Sequence, residues 1–151
     1  MALPELHLCI PIDTAWLEES REEVRLFLQT HGVEEQTAED LVLCVHEACA
    51  NAIEHSLSRT DIEVDLHVGS TSVTAVVADK GLGLDLDLHD PQRKPELLQA
   101  SGRGLYVMAS LMDEFDVSFD RGTAIRMNRQ LVPRPSPTRG CSTSSARPSA
   151  A

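Results

Sequence analysis

The apolar residues of this chain change their spacing after His55, and that change limits the folds open to it. From Thr37 to His55, residues Ala38, Leu41, Val42, Val45, Ala48, Cys49 and Ala52 recur at intervals of three and four. That spacing predicts one apolar stripe along an α-helix. From residue 62 the interval becomes two: Ile62, Val64, Leu66 and Val68 alternate with polar residues, the pattern of a strand with one buried face. A striped helix and a one-faced strand each need a second layer to cover them, so helices packed on a sheet are expected.

The remaining elements fit that frame. Glu5 to Ile12 alternates loosely and reads as a first strand. Asp13 or Thr14 caps a helix that runs through Trp16, Val24, Leu26 and Phe27 to about His31, where Gly32 stops it. Thr37 is expected to open the second helix. Gly69 and Ser70 turn the chain, and Val73 to Ala78 is a more continuously apolar strand. Lys80 to about Ser101 has little periodicity and reads as one long loop, a length that is usually functional inside a small domain. Leu105 to Met112 is a short helix. Phe115 to Phe119 and Ala124 to Leu131 form a hairpin around Asp120, Arg121 and Gly122. The fold class expected is α+β, a two-layer sandwich with helices on one face of a mixed β-sheet.

Of 151 residues, 42% are hydrophobic, which suits one domain with its own core. Residues 1–132 are assigned to it. Residues 133–151 are mostly Pro, Ser, Thr, Arg and Ala with no carboxylate, and such a segment is expected to be a disordered tail. No run of about 18 apolar residues exists to span a membrane, and Met1 to Ile10 lacks the basic start of a secretion signal. A cytoplasmic location is expected. The net charge of −11 disfavours nucleic acid and acidic membranes as partners, because both repel an acidic surface. It permits a protein partner, or a nucleotide whose phosphates meet backbone N–H groups and a metal.

Several motifs can be set aside. The four cysteines, Cys9, Cys44, Cys49 and Cys141, form no C-x-x-C pair and read as small buried apolar residues. The six histidines are scattered, and none is taken to pair with a cysteine at metal-ligand spacing. His46-Glu47 opens like a zinc-protease helix, but Ala50 stands where the second histidine is needed. Gly102-x-Gly104 lacks the third glycine of a dinucleotide fingerprint, since residue 107 is Val.

Four short features remain. Glu47 and Asn51, four apart, share one face of the second helix, roughly opposite its apolar stripe and flanked by Leu43 and Ala50. A side this poor in solvating residues is expected to be covered. Asp79-Lys80-Gly81-Leu82-Gly83 follows an apolar strand; its glycines let a flat ligand approach the backbone, and its carboxylate can accept from an exocyclic amine. Gly102-Arg103-Gly104 precedes a helix, whose free N–H groups attract phosphate. Gly122-Thr123 lies in the last hairpin. Each alone also describes ordinary structure: two solvated helix residues, a tight turn, a flexible helix start, a strand threonine.

Their order and spacing resemble the asparagine box and three glycine boxes of the GHKL ATPases, which include gyrase, histidine-kinase and mismatch-repair ATPase domains. The Asn51-Ala-Ile-x-His55 ending and the helix Gly104-Leu-Tyr-Val-Met-Ala-Ser-Leu-Met-Asp113 look most like the anti-sigma-factor serine/threonine kinases. The resemblance covers roughly residues 5–132 and implies a Bergerat-type ATP-binding fold. It implies Mg²⁺ on Asn51, Glu47 as the base for a serine or threonine hydroxyl, and Asp79 on the adenine amine between Gly81 and Gly83. Gly102, Arg103 and Gly104 would wrap the phosphates, and Thr123 would support Asp79 through a water. The cofactors implied are ATP and Mg²⁺. The partners implied are an anti-anti-sigma protein and a sigma factor, with the chain as a homodimer. One departure stands out: some members carry an Arg two residues before the first glycine of the second glycine box, and here that residue is Ala100. Arg103, Arg93 or Lys94 are the candidates to replace it. An ATP-dependent binding module without kinase activity is the alternative.

Overall fold

The computed structural model describes residues 2–55, 61–79, 103–118 and 122–131. The loop from Lys80 to Ser101 with Gly81 and Gly83, the residue Gly102, and the tail from Pro133 to Ala151 lie outside these residues.

The chain opens with strand β1, Glu5–Ile10. The Asp13 carboxylate accepts the Ala15 N–H at 2.9 Å and starts a 3-10 turn, Thr14–Trp16, that leads into helix α1, Leu17–Thr30. At the end of α1 the Val33 N–H reaches the Leu28 carbonyl at 3.0 Å and the Gly32 N–H reaches that of Gln29 at 3.1 Å. Gly32 turns there with φ 76°, a backbone angle that only a residue without a β-carbon adopts at no cost.

Helix α2 runs from Glu35 to His55, two residues earlier than Thr37 suggested. Glu34 is the reason: its carbonyl accepts the Ala38 N–H at 2.8 Å, and its carboxylate accepts the Thr37 hydroxyl at 3.0 Å. Thr37 thus sits buried within the first turn. The strands that follow are β2, Ile62–Val68, and β3, Ser72–Asp79. Helix α3, Arg103–Leu111, precedes β4, Glu114–Ser118, and β5, Ala124–Gln130.

The five strands form one sheet in the order β1-β2-β3-β5-β4, and every hydrogen-bonded pair is antiparallel. The α+β sandwich stands, but the sheet is not mixed. The crossover from β3 through α3 does set β4 in the same direction as β3. The hairpin return β5 then slides between them, so neither parallel strand pairs with the other.

The core is the interface between the layers. Ala38, Leu41, Val42, Val45, Ala48 and Cys49 of α2 are all buried, as are Ile62, Val64 and Leu66 of β2, Val73, Ala75 and Val77 of β3, and Ile125 and Met127 of β5. Burying each large side chain stabilises the fold by about 1.5–3 kcal/mol. The other sheet face is mostly polar, and among the described residues no helix covers it; on it the Asn128 amide donates to the Thr74 hydroxyl at 2.9 Å. Helices α1 and α2 are clamped by Arg25, which donates to Glu39 through Nε at 2.6 Å and a second nitrogen at 3.2 Å. Among the described residues no helix is long and apolar enough to cross a membrane.

Candidate functional site

Glu47 and Asn51 stand one helical turn apart on the side of α2 that its apolar stripe leaves uncommitted, and both are half-buried. The cover is α3. Its apolar residues Leu105 and Met108 are buried in the common core, which presses the start of α3 onto α2. Gly104 is the second residue of α3, and its backbone lies directly on the two polar groups. A β-carbon there would stand 3.0 Å from Glu47 Oε2, 3.2 Å from Asn51 Nδ2 and 3.6 Å from Asn51 Oδ1. The first two distances are tighter than nine in ten real β-carbon contacts, so with any other residue there the ends of Glu47 and Asn51 would have to give by a few tenths of an ångström.

The Asn51 amide nitrogen is buried with no hydrogen-bond partner among the described residues. Buried donors and acceptors in folded proteins are nearly always satisfied, and each exception calls for a reason. Here the first-turn N–H groups of α3, which have no partner within their own helix, begin at the same place. The cluster is a carboxylate, an amide and a helix N-terminus sharing one half-buried niche.

A second feature singled out from the sequence lies at the end of the sheet. Asp79 closes β3 and is buried, 6% exposed. Its Oδ1 accepts the Thr123 N–H at 2.9 Å, while its own N–H donates to the Thr123 carbonyl at 3.0 Å. The neighbouring Gly122 has φ 111°, which lets the chain turn tightly into this clasp. The Thr123 backbone thus pairs directly with Asp79 in both directions. A carboxylate has about four lone-pair sites, and the Thr123 bond occupies one of them.

Chain order relates the end of α2 to the end of β3. Helix α2 ends at His55 and the chain re-enters the sheet at Ile62, which is paired in register with Asp79. Of the residues singled out from the sequence, Glu47, Asn51 and Gly104 meet at the contact of α2 with α3, and Asp79 and Thr123 pair at the end of β3. Arg103 begins α3, and Gly81, Gly83 and Gly102 fall outside the described residues.

The family model of the histidine kinase-like ATPase domain matches residues 10–129. The chain belongs to that family. The match takes in every described residue of the niche. Among relatives of this ATPase-family domain, the serine-protein kinase RsbW of Bacillus velezensis is 32% identical over 103 residues, covering 62% of this chain and 64% of the relative. The chain thus aligns with a little under two thirds of that kinase. A solved structure of the RsbU and RsbW domains of Rv1364c from Mycobacterium tuberculosis superposes with a TM-score of 0.65 at 21% identity, covering 86% of this chain and 33% of the other. A structure of the SiaB-SiaC complex from Pseudomonas aeruginosa gives 0.57 at 14%, covering 83% of this chain and 88% of the other. At those identities the two structures establish the shared fold.

Proposed function

We propose that this domain binds Mg-ATP and transfers the γ-phosphoryl group to a serine or threonine of an anti-anti-sigma partner, and that it also sequesters a sigma factor, acting as a homodimer. The observation that carries this reading is the niche itself: Glu47 and Asn51 on one face of α2, both against Gly104 at the start of α3. Phosphoryl transfer asks a protein mainly to position groups and stabilise charge, and this niche is built for both. The name serine-protein kinase carried by the RsbW relatives supports the same class of reaction.

The donor set suits magnesium, a hard cation that prefers oxygen ligands and binds through few protein groups. Asn51 offers its side-chain oxygen, and its buried, unpartnered amide nitrogen fits a group held ready for a ligand. When bound, the ion supplies charge neutralisation at the phosphates. Glu47 accepts the proton of the incoming hydroxyl, one turn from Asn51 on the same face. Asp79, fixed by the Thr123 N–H, takes the adenine amine, with Gly81 and Gly83 admitting the ring. The N–H groups opening α3, with Gly102, Arg103 and Gly104, hold the phosphates.

A second reading, an ATP-dependent binding module without transfer, is favoured by Ala100, where some similar kinases carry an Arg. Labelled ATP and a candidate partner separate the two. Label on the partner that disappears in Glu47→Ala supports the kinase; partner binding without label supports the module. Asn51→Ala is expected to abolish Mg-ATP binding and leave the fold intact, and unchanged nucleotide affinity in calorimetry would overturn the metal assignment.

A further inference from the structure

The uncovered face of the sheet carries a cluster that the nucleotide site does not use. On β1, His7 and Cys9 are two residues apart, and a strand's period of two puts them on one face. Their register partners on β2 are Asp65 and Glu63 respectively, so the four side chains form a square across the strand pair. From the sequence no histidine is expected to pair with a cysteine; His7 and Cys9 do meet, because a strand's spacing sets them side by side.

We infer that His7, Cys9 and Glu63 form a zinc-binding site on this face, with Asp65 as the residue that orients His7. The potential ligand atoms of the three all lie within 4.8 Å of one another. The His7 Nε2 and the Cys9 Sγ are 3.5 Å apart. Bonds of about 2.05 Å to nitrogen and about 2.3 Å to sulfur at a tetrahedral angle require about 3.6 Å between those atoms. The other ring nitrogen, Nδ1, faces the Asp65 carboxylate at 2.5 Å, which fixes the ring and directs Nε2 toward the thiol. A carboxylate behind a ligating histidine is the usual support of a zinc imidazole. Thiolate, imidazole and carboxylate together select zinc over magnesium or calcium. His7 and Cys9 are exposed, so the fourth position belongs to water, and the ion ties edge strand β1 to β2. This site is independent of the nucleotide reading, since it shares no residue with it.

The test is Co²⁺ titration of the full chain in a Cys141→Ser background, which removes the thiol of the Pro/Ser-rich tail. Expected is one Co²⁺ per chain with a near-ultraviolet thiolate-to-cobalt band, displaced by Zn²⁺. Cys9→Ser removes the band, Asp65→Asn weakens affinity by roughly 10–100-fold, and Glu63→Gln, which keeps the side-chain shape, also weakens it. Asn51→Ala leaves the titration unchanged. Absence of the band in the parent, its persistence in Cys9→Ser, or equal affinity in Asp65→Asn would each overturn the inference.

Discussion

The backbone of Gly104 rests against the side-chain amide of Asn51, so closely that a β-carbon on the glycine would stand 3.2 Å from Nδ2. Gly104→Ala is therefore a probe of the niche. Inside a helix, Gly to Ala gains up to about 1 kcal/mol of intrinsic stability, so the fold is expected to hold. The added methyl instead displaces the ends of Glu47 and Asn51. Nucleotide affinity should fall by about tenfold, the equivalent of about 1.4 kcal/mol, while the thermal midpoint stays level or rises. Calorimetry and a melting curve on one preparation check both, and unchanged affinity would count against the niche as the metal side of the site.

Asp79 serves the fold and, on our reading, the ligand, and two substitutions separate these roles. Asp79→Ala leaves the Thr123 N–H without its 2.9 Å acceptor, at a cost of about 1–3 kcal/mol, visible in denaturant unfolding. Asp79→Asn keeps one oxygen for that N–H, so most of the stability should survive. With the oxygen so committed, the outward group is an NH₂, a donor facing the donor amine of adenine. Binding of ATP should then drop in Asp79→Asn far more than stability does. Equal losses of both would assign Asp79 to structure alone.

Much of this was legible in the sequence because periodicity and burial are the same physics. The stripe Ala38 to Cys49 and the alternation Ile62 to Val68 name the two sides of the core, and both are buried in full. The niche was legible only as an ordered set of weak motifs: nothing local to Gly104 says that it touches Glu47, 57 residues earlier in the chain. That contact depends on how Leu105 and Met108 seat α3 on α2. The antiparallel sheet was missed because strand order follows from where β5 inserts, a long-range choice. His7 and Cys9 were missed for a related reason. Their partners Asp65 and Glu63 lie in another strand, and only register brings them together.

The clamp between α1 and α2 should be acid-sensitive. Hydrogen bonds from Arg25, then its charge, hold the Glu39 carboxyl below its ordinary value of 4.5. A carboxyl lowered in the folded state adds stability that is present above the unfolded value and is lost as pH falls through the folded one. The difference in thermal midpoint between the parent and Glu39→Gln should thus be constant near neutrality and shrink below about pH 4.5. A difference that grows on acidification would contradict the sign. Because Glu39 is largely exposed, added salt should also narrow it.

Alkali should act through the core cysteines. Burial in apolar surroundings pushes the Cys44 thiol from its ordinary 9.0 up to about 12, and the Cys49 thiol likewise up to about 12. A raised value in the folded state means stability that is complete below the unfolded value and lost as pH rises toward the folded one. Unfolding free energy should therefore decline from about pH 9 upward, and the decline should be shallower in Cys49→Ala than in the parent, once the variant's own cavity cost is subtracted at pH 7. The same burial predicts selective chemistry, because the thiolate is the reactive form. At pH 8 an alkylating reagent should label exposed Cys9 quickly and leave Cys44 and Cys49 unmodified until denaturant is added. Peptide mapping by mass spectrometry reads this directly, and fast native labelling of Cys49 would mean that the α2 stripe is not sealed against the sheet.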